Sequence, residues 1–122
     1  MMNRYFKSLI DQEQGPVVIC DLAHTIRYMN PAAVSRYEDR GGIGLVGKNL
    51  MDCHNPRSAA AIEKVLQWFA KSKQNNRVHT FYNARDNRDV YMIALRDDAG
   101  VLIGYYEKHA GRNRDMTPLY EM

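Results

Sequence analysis

The sequence predicts an α+β fold, a five-stranded antiparallel sheet with helices packed on one face. Three observations predict it. Short runs rich in β-branched and aromatic residues form a pair before residue 31 and a trio after residue 77. One strongly periodic helix lies between the groups, with Ile62, Val65, Leu66 and Phe69 at i, i+3, i+4 and i+7. Within each group the connections are short turns, which join antiparallel neighbours.

Each element has its own justification. Tyr5, Phe6, Leu9 and Ile10 form one apolar stripe of an N-terminal helix over residues 1–14, which Gly15 and Pro16 end. Val17 to Cys20 is a continuous apolar run that reads as a buried strand. Asp21 to His24 turns the chain, and Ile26 to Asn30 returns as the hairpin partner. Asn30-Pro31 is a helix-starting pair, cap followed by first position, for a short helix to Tyr37. Four of the eight glycines fall between residues 41 and 47, a loop whose Leu45, Val46, Leu50 and Met51 give it apolar handles, as in a lid or gate. Asn55-Pro56 repeats the cap signal and opens the long helix, predicted to about Lys73. Val78–Tyr82, Val90–Leu95 and Val101–His109 are the last three strands, with a turn signature at Arg96-Asp97-Asp98-Ala99-Gly100.

A chain of 122 residues is one domain's worth. The expected organisation is the helix at 1–14, a domain over 15–110 and a polar tail over 111–122. Charged residues are 25% of the chain and the net charge is only +3, with acids and bases interleaved at Arg85, Asp86, Arg88 and Asp89. A nucleic-acid binder gathers its basic residues on one face, so no nucleic-acid partner is expected. No apolar stretch reaches the ~20 residues of a membrane span, and the N-terminus is too polar for a secretory signal. A cytoplasmic protein with two unpaired thiols, Cys20 and Cys53, is expected.

Several segments together resemble a PAS domain. Ile26-Arg27-Tyr28-Met29-Asn30-Pro31-Ala32-Ala33 is similar to the family's second strand and first small helix. Gly47-Lys48-Asn49-Leu50-Met51-Asp52-Cys53-His54-Asn55-Pro56 resembles the entry to its long connecting helix, and the segment Leu95 to Gly104 resembles its last hairpin. The Cys-His-Asn-Pro form resembles a bacterial subgroup with Cys-His-Pro there. Lys108-His109-Ala110-Gly111 stands where the family ordinarily ends in Asp-Ile-Thr. The resemblance covers roughly residues 5 to 109. It implies a sensor or ligand-binding module with a pocket between the sheet and the long helix. It leaves the ligand unknown: haem, a flavin, a small acid or none. It also implies a homodimer, through an N-terminal helix presenting Phe6, Leu9 and Ile10, and a signalling partner protein.

The candidate ligand-binding residues are Asn30, Cys53, His54, Ile62, Leu66, Tyr91, Ile93 and Tyr106. His54 precedes the long helix, where backbone N–H groups gather; it is the candidate haem ligand or anion contact, or else a staple of its loop. Cys53 is a redox thiol or a small hydrophobe. Asn30 serves a ligand or caps its helix. Strand alternation puts Tyr91, Ile93 and Leu95 on one face and Met92, Ala94 and Arg96 on the other. The first set is the more uniformly apolar and is assigned inward, with Tyr106 and Gly104 sharing a face of the last strand. No cysteine stands in an Asn-Cys-Arg type motif, so covalent flavin photochemistry is not expected. Gly42-Ile43-Gly44-Leu45-Val46-Gly47 matches a dinucleotide fingerprint but lacks its flanking strand. No metal spacing and no catalytic motif appears, so the protein is read as no enzyme. The alternative to a ligand sensor is a ligand-free dimerisation or interaction module, binding a partner through Phe81, Tyr82 and Tyr105.

Overall fold

The computed structural model describes residues 2–120. Its elements are α1 (Met2–Asp11), β1 (Val17–Asp21), β2 (Ile26–Met29), α2 (Pro31–Arg36), α3 (Pro56–Lys71), β3 (Arg77–Asn83), β4 (Arg88–Arg96) and β5 (Leu102–Gly111). Three 3-10 turns, Glu38–Arg40, Gly42–Leu45 and Leu50–Cys53, connect α2 to α3. The predicted helix over 1–14 stops at Asp11; Met1, like residues 121–122 of the predicted tail, lies outside the described residues.

The five strands make one sheet in the order β2-β1-β5-β4-β3, with every neighbouring pair antiparallel. The first and last strands therefore sit side by side near its middle, with Val18 opposite Glu107 and Cys20 opposite Tyr105. On one face Val18, Cys20, Met92 and Tyr105 pack with Met29, Ala33, Leu45, Ile62, Leu66 and Phe69 into a single core. This is the α+β architecture the sequence predicts. On the opposite face Leu9 and Ile10 of α1 approach Ile19 and Tyr106.

Asparagine caps start both inner helices. Asn55 accepts from the Ser58 amide at 2.8 Å. Asn30 is fully buried and does more than cap. Its Oδ1 accepts from the amides of Ala33 and Val17, both at 2.9 Å. Its Nδ2 donates to the carbonyls of Ile10 and Gly15 at 3.1 and 3.0 Å. All four hydrogen-bonding positions of the side chain are spent on backbone, tying α1, β1 and α2 together.

The other end of α3 is closed by an arginine. A helix leaves its last carbonyls without internal partners. The Arg96 Nη2 donates to the carbonyls of Phe69, Ser72 and Asn75 at 2.7, 3.0 and 3.0 Å. Its Nε reaches Asn76 Oδ1 at 2.7 Å and its Nη1 reaches the Gly100 carbonyl. A second clamp crosses the core. His24 Nε2 donates to the Glu63 carboxylate at 2.7 Å, and Nδ1 accepts from the Tyr105 hydroxyl at 2.8 Å, joining α3 to β5. Burial pushes the thiol of Cys20, beside Tyr105, up to about 12, so it is a core residue and no nucleophile.

The glycine-rich segment is a pinned connection. Leu45 is buried, and the chain runs against β2 through Gly47 N–H to the Ile26 carbonyl at 2.7 Å and Ile26 N–H to the Lys48 carbonyl at 2.9 Å. Gly41, at φ 125°, and Gly47, at φ 92°, take the backbone where other residues are strained.

Candidate functional site

The long helix is unevenly seated. Leu66 and Phe69 hold its C-terminal half on the sheet. Its N-terminal half stands away from β3 and β4 and leaves a cavity of about 400 Å³. Ala61, Ile62 and Val65 line the helix side; Val90 and Met92 line the sheet side. A bulge between His79 and Phe81 brings both Thr80 and Phe81 to the rim, where Phe81 is 60% exposed. A smaller cavity of about 130 Å³ lies under the glycine turns, against Val18, Met29, Leu45 and Cys53. Tyr37, His54 and Glu107 line both cavities and form the partition between them.

That partition is the polar part of the site. Glu107 comes from β5, whose alternation points Tyr105, Glu107 and His109 at the same face. The Tyr37 hydroxyl donates to Glu107 Oε1 at 3.2 Å, and His109 Nε2 donates to the same oxygen at 3.0 Å. His109 is buried, and its Nδ1 has no partner among the described residues. Burial pushes the Glu107 carboxyl up, but the bond and charge of His109, the Tyr37 hydroxyl and the nearby His54 outweigh it and hold the group below the usual carboxylate range. Glu107 is therefore an ionised carboxylate facing apolar walls. Burial and the Glu107 charge push the Tyr37 hydroxyl up, so it remains a neutral donor.

The structure sorts the predicted site residues into three groups. Ile62 and His54 line the larger cavity, and Cys53 joins His54 at the smaller one. Leu66 lies in the core beside the cavity, without lining it. Asn30 has no bonding capacity left for a ligand and is a structural cap. The third group is a correction. Tyr91, Ile93 and Tyr106 lie on the opposite face, where Ile93 pairs with Tyr106 and the Arg77 guanidinium stacks on Tyr91 at 3.9 Å. Val90, Met92 and Ala94 are the inward residues of β4, and Arg96 turns in to the helix end. Alternation fixes two faces without saying which is inner, and the outer face is apolar too because α1 covers part of it. Tyr105 is likewise only 1% exposed and offers nothing to a partner.

The residues missed by sequence reasoning are Tyr37, Glu107 and His109. A partial signal existed: on this strand one parity carries Glu107 and His109 and the other Tyr106 and Lys108, so either choice of inner face turns a charged group inward.

A haem does not fit this constellation. An iron-binding His54 would share its wall with the ionised Glu107 and with the Tyr37 and His109 side chains bonded to it. The volume also lies near the lower end of the ~300–1,000 Å³ of small-molecule sites. Among the described residues no cluster of three metal-ligating side chains occurs.

No family model matches the chain, and no curated protein matches it. Solved structures do. A PAS domain from Colwellia psychrerythraea superposes with a TM-score of 0.64 at 12% identity, covering 96% of this chain and 98% of that one. A receptor from Vibrio cholerae, described as a dual PAS-heme oxygen sensor, gives 0.60 at 19% identity, covering 81% and 95%. The PAS domain of BvgS from Bordetella pertussis gives 0.60 at 17% identity, covering 93% and 88%. The chain has the PAS fold, as the resemblance in its sequence implied. The cavity between long helix and sheet lies where that resemblance placed a pocket.

Proposed function

We propose that this chain is a cytoplasmic sensory domain that holds a small organic ligand in the 400 Å³ cavity and performs no chemistry on it. One observation carries the reading. The helix is seated at its C-terminal end and borders a cavity further back, and that space has an apolar wall of Ala61, Ile62, Val65, Val90 and Met92 facing a polar side where Tyr37, His54, Glu107 and His109 gather, with Arg36, Ser58, Thr80 and Asn83 also lining it. Close-packed interiors do not leave such spaces by default. Similar solved structures support it, since they include the Vibrio cholerae oxygen sensor and a sensor histidine kinase from the same organism.

The polar groups lack the relay that catalysis needs. Thr80 Oγ1 is committed to the Val90 carbonyl at 3.2 Å, and His109 Nε2 to Glu107. The cavity hydroxyl that is bonded to a base, the Tyr37 phenol on Glu107, is kept neutral by burial and by the carboxylate's charge, so it supplies no nucleophile. A ligand would act by preferring one seating of the helix over another, since only differential affinity moves such an equilibrium. His54, between the two cavities and just before the helix, is placed to report that movement.

The test is a native mass spectrum of freshly purified protein, compared with its denatured mass. Expected is an extra mass lost on denaturation and lost again in an Ala61→Trp variant, which fills the cavity from its helix side. A retained mass that survives in the variant would place the ligand elsewhere. A bare chain that also takes up no small molecule from a fragment library would remove the sensor reading. A homodimer is the second reading with an observation behind it. Tyr5, Phe6 and Leu9 of α1 are 70%, 54% and 67% exposed, an apolar stripe with nothing over it. The same spectrum gives the number of chains.

A further inference from the structure

We infer that the ligand of this cavity carries a hydrogen-bond-donating cation, an ammonium or amidinium on an apolar body, that pairs with the free oxygen of Glu107. This rests on the reading of the cavity as a ligand site. Both internal bonds to Glu107, from Tyr37 and from His109, end on Oε1. Oε2 has no partner among the described residues, and the Glu107 side chain is 22% exposed and lines both cavities. An ionised carboxylate can only accept, so the group that meets it must donate. An anionic ligand would set a second negative charge against the carboxylate there.

Among the described residues Glu107 is the one carboxylate lining the cavity. Of the basic groups lining it, Arg36 is paired with Asp86 at 3.6 Å, and His54 helps hold the carboxylate ionised. His109 is already bonded to the carboxylate. Beyond the partition the walls are Ile62, Val65, Val90 and Met92, which suit a flat or branched apolar body. The two requirements together describe a small organic amine.

The test uses three phenyl probes that differ in charge: benzylamine, benzyl alcohol and benzoate. Each is titrated into the unmodified chain while backbone amide resonances are followed by NMR. Expected is saturable movement of Ala61, Ile62, Val90 and Met92 with benzylamine, at least tenfold weaker binding of benzoate, and benzyl alcohol between them. In Glu107→Gln, benzylamine binding falls roughly tenfold or more, the loss of a charge-assisted bond, while benzyl alcohol binding stays within about threefold. Benzoate binding at the same residues as tightly as benzylamine would overturn the ligand class and leave the cavity reading standing. Binding of no probe at those residues would overturn the ligand class, and the mass spectrum would then judge the cavity separately. Should Glu107→Gln fail to fold, the charge series on the unmodified chain decides alone.

Discussion

The two halves of α3 meet the same sheet in opposite ways. At the C-terminal half Phe69 is fully buried, and one Arg96 nitrogen gathers the carbonyls of Phe69, the cap Ser72 and Asn75 in the turn beyond. In the N-terminal half Ile62 is the one buried residue and Ala61 is exposed; a cavity lies beside them and beside half-buried Val65 near the helix middle. One amphipathic helix supplies both, so the difference lies in what faces it. The closed half meets the Arg96 clamp. The open half meets the partition, where a carboxylate and a histidine occupy positions that would otherwise hold core residues. The lesson is that this fold concentrates its stability at one end of an element and leaves the other end free to respond.

The comparison can be broken by deletion. Phe69→Ala at the closed half should cost about 3–5 kcal/mol, since it opens an enclosed void. Val65→Ala at the open half should cost about 1 kcal/mol or less, because the space beside it is already empty. Urea unfolding of both variants checks this, and equal losses would abolish the distinction. A smaller effect sharpens the closed end. Arg96→Met keeps the aliphatic stem and removes the donors, leaving helix carbonyls unpaired, and should lose about 2–3 kcal/mol. A loss under about 0.5 kcal/mol would mean that water serves those carbonyls equally well.

The smallest effect concerns acid. Glu107 is held below its ordinary 4.5, so its folded form favours the ionised state. Its contribution is present above pH 4.5 and is lost as pH falls through the depressed folded value. Against Glu107→Gln, the unmodified chain should hold its stability advantage at neutral pH and lose it as the pH is taken below 4.5 and through the depressed folded value. A gap that stays constant or widens on acidification would contradict the ionised assignment and, with it, the attraction for a cation.

Much of the fold was legible in the residues. Asn30 and Asn55 announced their helices because a cap is a local hydrogen bond, readable from a few neighbours. Ile62, Leu66 and Phe69 announced the buried face of α3 because its period is strong. What could not be read was long-range. Tyr91 and Ile93 look more like core than Met92 and Ala94, yet the choice of face depends on where α1 and α3 land. Arg96 looks like a solvated strand residue until the helix end arrives beside it. Glu107 and His109 are two apart on β5, but Tyr37 is 70 residues from Glu107, and only the packing of α2 against the sheet brings it there.

The pairing of β1 with β5 also governs when the sheet can form. Val17 to Asp21 find their partners only at Gly104 to Lys108, after every other strand of the sheet has been made. A chain emerging from the ribosome can close the β1–β2 hairpin early, but the other edge of β1 stays bare until the last strand appears. Such long loop closures slow folding and leave an apolar strand edge open to other chains in the interval. The apolar run Val17–Cys20 is thus the segment through which a nascent copy of this protein would aggregate.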